Sequence, residues 1–252
     1  MEDTTKQSSS KVPEVTLVFW IIKIMATTLG ETGGDMVSMS MALGYLESTA
    51  IFLVIFLIAV AYQIIAKQFH PIVYWATIIA TTTLGTTLAD FADRSLGIGY
   101  TGGSSLLFIL LMTSLLVWYR ALGSISIETV STPKVEMFYW VTIMLSQTLG
   151  TALGDWMADS ADLGYIGSAI IFSGMLVCVV IAYYWTTLSH TLLFWVAFIL
   201  TRPLGAVLGD FLDKPLNAGG LSISRYSASA IILILIVILI LMFEQRAAKS
   251  TH

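Results

Sequence analysis

Charge is scarce in this sequence. Only 11% of the 252 residues are charged, and mean hydropathy is +0.86. A water-soluble domain carries about a quarter charged residues. The deficit excludes a soluble globule, a disordered chain and a basic nucleic-acid binder. The formal net charge of −4 says little when most of the mass sits in lipid. Cysteine is nearly absent too. Cys178 stands alone in an apolar run, which excludes an internal disulfide or a thiolate cluster and predicts a buried small hydrophobe. At about 20 apolar residues per crossing, the chain has room for about eight spans and no soluble domain of useful size.

What the sequence has is repetition. Four tryptophans each precede a Leu-Gly pair by the same distance: Trp20 and Gly30, Trp75 and Gly85, Trp140 and Gly150, Trp195 and Gly205. Each glycine is followed five residues later by an aspartate, Asp35, Asp90, Asp155 and Asp210. The segments read TLGETGGD, TLGTTLAD, TLGTALGD and PLGAVLGD. Repeats 1 and 3 share an LGY after the aspartate (Leu43 to Tyr45, Leu163 to Tyr165). Repeats 2 and 4 share D-F-x-D (Asp90/Asp93, Asp210/Asp213). The chain therefore reads as a doubled pair of repeats.

On these motifs the sequence resembles the bacterial multi-pass, membrane-anchored proteins built from four tandem two-helix repeats, each with a characteristic tryptophan. The resemblance spans about residues 15 to 243. It implies the architecture and carries no activity with it.

Each repeat pairs a motif helix with a plain apolar helix. Motif helices are expected near 15–37, 72–92, 137–158 and 192–212, and plain ones near 49–66, 104–119, 166–185 and 227–243. The domain reading is a polar cytoplasmic N-terminus (1–14), repeat 1 (15–66), repeat 2 (72–119), a central loop (120–136), repeat 3 (137–185), repeat 4 (192–243) and a cytoplasmic tail (244–252). Lys23 and the lack of a small-x-small cleavage site predict a retained first helix, not a removed signal peptide. Backbone groups in lipid must pair internally, and runs such as IFLVIFLIAV lack barrel alternation, so helices are expected. The fold class is an all-α integral membrane protein: eight transmembrane helices, four two-helix repeats in parallel orientation, and a pseudo-symmetry axis along the membrane normal.

Eight spans put both termini on one side. That side carries Lys6, Lys11, Lys67, Arg120, Lys134, Arg246 and Lys249, and the other carries Arg94, Lys214 and Arg225. The positive-inside bias makes the termini cytoplasmic, in a bacterial inner membrane.

Steps of four stay on one helix face. The faces read Lys23, Thr27, Glu31, Asp35; Ile78, Thr82, Thr86, Asp90; Ile143, Gln147, Thr151, Asp155; and Phe198, Arg202, Ala206, Asp210. A charge at mid-bilayer costs about 2.5–3.5 kcal/mol or more, so these stripes must meet each other or water. Convergence would gather Glu31, Asp35, Asp90, Asp155 and Asp210 with Lys23 and Arg202, a formal −3. Arg202 is expected beside Glu31. The small pairs Gly30/Gly34, Gly85/Ala89, Gly150/Gly154 and Gly205/Gly209 predict close helix approach. The aspartates have a second reading as wet helix-end residues, Asp93 and Asp213 as mouth residues, and the tryptophans as packing or interfacial anchors.

The donors on the stripes are carboxylates, Thr hydroxyls and Gln147. His70, His190 and His252 fall in loops or the tail. Such a set disfavours copper and zinc and leaves hard ions: Mn²⁺, Mg²⁺, Ca²⁺, Na⁺ or H⁺. Met25, Met36, Met39 and Met41 add a weak lean toward manganese. The expectation is a cation transporter, with Mn²⁺ or another divalent ion as the metal held by the five carboxylates and proton-coupled efflux as one form. The coupling residues would be Lys23, Thr27, Thr82, Thr86, Gln147, Thr151 and Arg202. Partners are the bilayer and a small cation, with no nucleic acid and no resident cofactor. The alternatives are a non-transporting structural or regulatory protein, whose stripes only join helices, and a transporter of a small organic solute in a cavity lined by aromatics. No GxSxG or HExxH occurs, so an enzyme is not expected.

Overall fold

The computed structural model describes residues 10–248. Lys6, Lys249 and His252 lie outside the described residues. Eight long helices follow one another: α1 Leu17–Asp35, α2 Gly44–Ile65, α3 Pro71–Asp90, α4 Tyr100–Leu122, α5 Pro133–Asp155, α6 Gly164–Trp185, α7 His190–Asp213 and α8 Arg225–Met242. Six of them, all but α1 and α5, are long and apolar enough to cross a membrane.

Local chemistry sets the boundaries. Thr16 caps α1 by accepting a hydrogen bond from the Phe19 amide. Pro71 and Pro133 open α3 and α5, where a missing N–H costs nothing. The plain helices start earlier than their apolar runs, because Gly44, Gly99 and Gly164 turn the chain at φ of 78°, 74° and 62° just as α2, α4 and α6 begin. Glycine reaches that left-handed region without a Cβ clash. The central loop is shorter than 120–136 for a similar reason: α4 runs on to a left-handed cap at Gly123, and α5 begins at Pro133.

The helices are arranged cyclically. α1 packs on α3, α3 on α5, α5 on α7, and α7 back on α1, forming an inner ring. Each plain helix packs on the motif helix of the following repeat: α2 on α3, α4 on α5, α6 on α7, and α8 on α1. The ring is thus closed by the last helix covering the first.

Polarity is inverted relative to a water-soluble fold. The outward faces carry Leu53, Val54, Leu57 and Ile58 on α2, Ile109 and Leu116 on α4, Ile170 and Val177 on α6, and Ile234 and Val237 on α8, all exposed. The interior holds Lys23, Glu31, Gln147, Arg202 and a run of threonines, all buried. Exposed apolar surface on this scale requires a nonpolar solvent, so the molecule is a membrane protein. The threonines partly satisfy themselves: Thr77 and Thr81 donate to the carbonyls of Val73 and Thr77, one turn back, at 2.8 and 2.5 Å. Cys178, expected to be buried, is exposed on α6 among these apolar residues.

The described ends of the chain meet. Val12 accepts from the Ala248 amide at 2.8 Å, and the Glu14 amide donates to Arg246 at 2.8 Å. Lys11 is buried in a 2.6 Å ion pair with Glu136 and donates to the carbonyls of Gln63 and Ile64. Residues 10–13 are therefore a buried strap across the ends of α2 and α5, where a free polar tail was expected.

Candidate polar axis of the inner ring

Glycine seams hold the inner ring together. A Cβ added to Gly30 would strike Thr82; one on Gly85 would sit 3.0 Å from the Gln147 backbone; one on Gly150 would strike Arg202; one on Gly205 would strike Thr27. In every case the glycine meets the residue three positions before the equivalent glycine of the next helix. A single geometric rule therefore runs round all four repeats and closes α7 onto α1. A second tier repeats it: Gly34 on Thr86, Gly154 on Ala206, Gly209 on Glu31. These are backbone approaches that only small residues allow.

The seams place the four stripes in stacked layers. At one end lie Phe19, Tyr74, Tyr139 and Phe194, buried, with Tyr74 and Tyr139 joined through their hydroxyls at 2.7 Å. Trp75, Trp140 and Trp195 pack edge-on to the neighbouring Tyr74, Tyr139 and Phe194. These rings pack against one another. One groove of about 610 Å³ touches Trp195, but it lies between α4 and α7 beside the exposed Phe108 and Tyr119.

Next come Lys23, Ile78, Ile143 and Phe198; then Thr27, Thr82, Gln147 and Arg202; then Glu31, Thr86, Thr151 and Ala206; and last the four aspartates. All of these are buried. Lys23 Nζ lies 4.1 Å from the Phe198 ring centroid. Arg202 reaches across the ring. Its Nη1 and Nη2 donate to Glu31 at 3.1 and 3.2 Å, and Nη2 donates to Thr86 and Thr151 at 2.5 Å each. The pairing of Arg202 with Glu31 is as the spacing suggested. Helix α7 continues through Pro203, whose ring packs against Gly150.

The aspartates are not wet helix ends. Asp35, Asp90, Asp155 and Asp210 are 1%, 2%, 3% and 4% exposed. After the first three of them the backbone continues as a π-helical turn, Met36–Ser40, Phe91–Ser95 and Trp156–Ser160. Two cations serve all four. Arg94 pairs with Asp90 at 2.8 Å and reaches Asp155 of the next repeat at 3.5 Å. Lys214 pairs with Asp210 at 3.0 Å and with Asp35, again one repeat on around the ring, at 2.7 Å. Arg225 pairs with Asp213 and lies 3.6 Å from Asp35. Asp93, read as a mouth residue, is buried against Gly103.

The stripe charge of −3 is corrected accordingly, because Arg94 and Lys214 join the cluster and leave a formal −1. Their spacing was available in the sequence. Both sit four residues after an aspartate, one helical turn away. A further signal was D-x9-Y, which links Asp35 to Tyr45, Asp90 to Tyr100 and Asp155 to Tyr165. All three tyrosines stand near these charges, and Tyr100 donates to Asp159 at 3.5 Å.

Not all the carboxylates share one point. Glu31, Asp155 and Asp210 each offer an oxygen within 4.8 Å of the others, and so do Asp35, Asp210 and Asp213. Asp90 stays with Arg94. The donors of both groups are hard oxygens, from α1, α5 and α7 in the first and from α1 and α7 in the second, a set able to hold a hard cation.

Together the inverted polarity, the cyclic helix pairs and the buried charged axis define a helical membrane protein made of four repeats. The chain matches the family model described as Repeat of Unknown Function (DUF347) at residues 18–69, 73–123, 138–189 and 193–246, and it belongs to that family. No curated protein and no solved structure matches it.

Proposed function

We propose that the protein is a membrane transporter for a hard cation, Mn²⁺ or a similar divalent ion, exchanged against protons. One observation carries the reading: the carboxylates of Glu31, Asp155 and Asp210 meet within 4.8 Å, buried, on three different helices. Carboxylates are kept together in lipid where an ion or proton shares them. Lys214 and Arg94 then act as tethered occupants. Their side chains are 14% and 32% exposed, at the rim of the cluster, so an incoming cation can displace them without breaking the core. Arg202 closes the axis below the cluster, which is the occluded state alternating access requires.

On this reading all eight helices cross the bacterial cytoplasmic membrane. The repeats enter in the same direction about an axis along its normal, and both termini are cytoplasmic. α1 and α5 fall short in apolarity because α1 carries Lys23, Glu31 and Asp35, and α5 carries Lys134, Glu136, Ser146, Gln147 and Asp155. The bilayer and the cation are the partners, and the activity is transport, not catalysis. The test is Mn²⁺ uptake into proteoliposomes. Asp155→Asn and Asp210→Asn should each lower the flux at least about tenfold, the effect of losing about 1.4 kcal/mol of ion binding. Unchanged flux in both contradicts the proposal.

A second reading has its own observation. Arg202 and the aromatic layer block the axis, and every aspartate of the ring has a cation beside it. Such a body would be a structural or regulatory membrane protein. It predicts that the same substitutions reduce yield while no ion flux exists to change.

A further inference from the structure

Below the Arg202–Glu31 pair, several buried polar atoms lack a hydrogen bond, and Lys23 Nζ has only the Phe198 ring face beside it. Lys23 Nζ, Thr82 Oγ1, Arg202 Nε and both amide atoms of Gln147 lack a hydrogen-bond partner, and all four residues are 0% exposed. They come from all four inner helices and from two adjacent layers of the axis. Arg202 is linked directly to Thr82, whose carbonyl accepts from Nη2 at 3.4 Å. It also lies close enough to Lys23 for the two charges to repel. Its Nη groups are spent on Glu31, Thr86 and Thr151, which leaves the Nε edge free.

We propose that Lys23 Nζ, Arg202 Nε, Gln147 Nε2 and Thr82 Oγ1 form a binding site for a small inorganic monoanion of the halide class. Three arguments lead there. Buried donors without hydrogen bonds are rare and costly, and these fall in two adjacent layers of the axis. With Lys23 protonated, Lys23 and Arg202 against Glu31 leave a formal +1, and a bound monoanion is what would hold that proton on a buried lysine, which a water molecule does not do. The seams of Gly30 on Thr82 and Gly85 on Gln147 are tight, which suits a single-atom ion over a larger solute. Phe19, Tyr74, Tyr139 and Phe194 close the site on one side and the Arg202–Glu31 pair on the other. The site does not depend on which cation is carried or on whether any is carried. Its role is to hold Lys23 and Arg202 together in lipid.

The test is thermal unfolding of the purified protein in chloride, bromide and gluconate at one pH and ionic strength. At about ten times Kd, halide should raise the wild-type midpoint by about 3–6 °C over gluconate. Lys23→Met and Gln147→Leu should each abolish that difference. Equal wild-type midpoints in all three salts overturn the proposal, and so does a halide shift that is the same in wild type and variants. Should the variants fail to fold, wild-type crystals soaked in bromide decide. An anomalous peak within hydrogen-bonding reach of Lys23 Nζ and Gln147 Nε2 supports the site, and its absence there refutes it.

Discussion

Arg202 is the residue on which the interior turns. It is fully buried, and it bonds side chains from three other inner helices: Glu31 on α1, Thr86 on α3 and Thr151 on α5. Removing one partner of a buried pair strands the other charge, at a cost of about 3–5 kcal/mol, whereas replacing both by apolar groups is often neutral. Arg202→Met alone should therefore abolish or sharply reduce folded yield. Glu31→Met combined with Arg202→Met should restore most of it, as read by fluorescence-detected size exclusion and thermal midpoint. A double variant as impaired as the single one would contradict this account of the pair. The pairing was legible in the sequence because both residues break the repeat pattern on the same helix face. The cations of the aspartate ring were equally available, as Asp90/Arg94 and Asp210/Lys214. The sequence counts them only among the charges of the outer side, because the expected helices stop at 92 and 212, and the π-helical turn and the length of α7 carry the chain further.

At the scale of the element, what matters is which glycines touch a neighbour. Gly85 has the Gln147 backbone 3.0 Å from where a Cβ would lie, while Gly33 has nothing within 4 Å. Gly85→Ala should destabilise by about 1–3 kcal/mol, the cost of overpacking a seam that cannot give. Gly33→Ala should be neutral or stabilise by up to about 1 kcal/mol, because alanine is the better helix former. Thermal midpoints of the two variants, measured side by side, check the contrast. Sequence spacing marked the seam glycines as a class. The offset between partners, glycine against the position three before its counterpart, follows from the stagger of neighbouring helices and has no linear signature. The third tyrosine turn has no LGY string because Ile98-Gly99-Tyr100 replaces the leucine, although Gly99 has a positive φ like Gly44 and Gly164.

For the whole molecule, the cyclic packing separates the sequence repeat from the structural one. A sequence repeat is a motif helix and the plain helix after it, yet each plain helix covers the next motif helix. No repeat can bury its own polar stripe. The two halves also depend on each other, since α4 covers α5 and α8 covers α1. Residues 1–126 expressed alone should be degraded or aggregate, because α1 would expose Lys23 and Glu31 to lipid at several kcal/mol. Co-expression with residues 127–252 should recover a complex that co-purifies. Stable isolation of the first half by itself would contradict the cyclic arrangement. Helix number and repeat order could be read from the sequence. Ring closure could not, because contacts between α8 and α1 join the two ends of the chain.

The central claim is that buried carboxylates from separate repeats act as one cation site. Equilibrium binding of Mn²⁺ to the purified protein, read from the free-ion electron paramagnetic resonance signal, tests it most directly. The account predicts saturable binding that Asp155→Asn combined with Asp210→Asn removes and that Asp93→Asn leaves in place. No saturable binding by the wild type, or binding indifferent to the paired substitution, would contradict it.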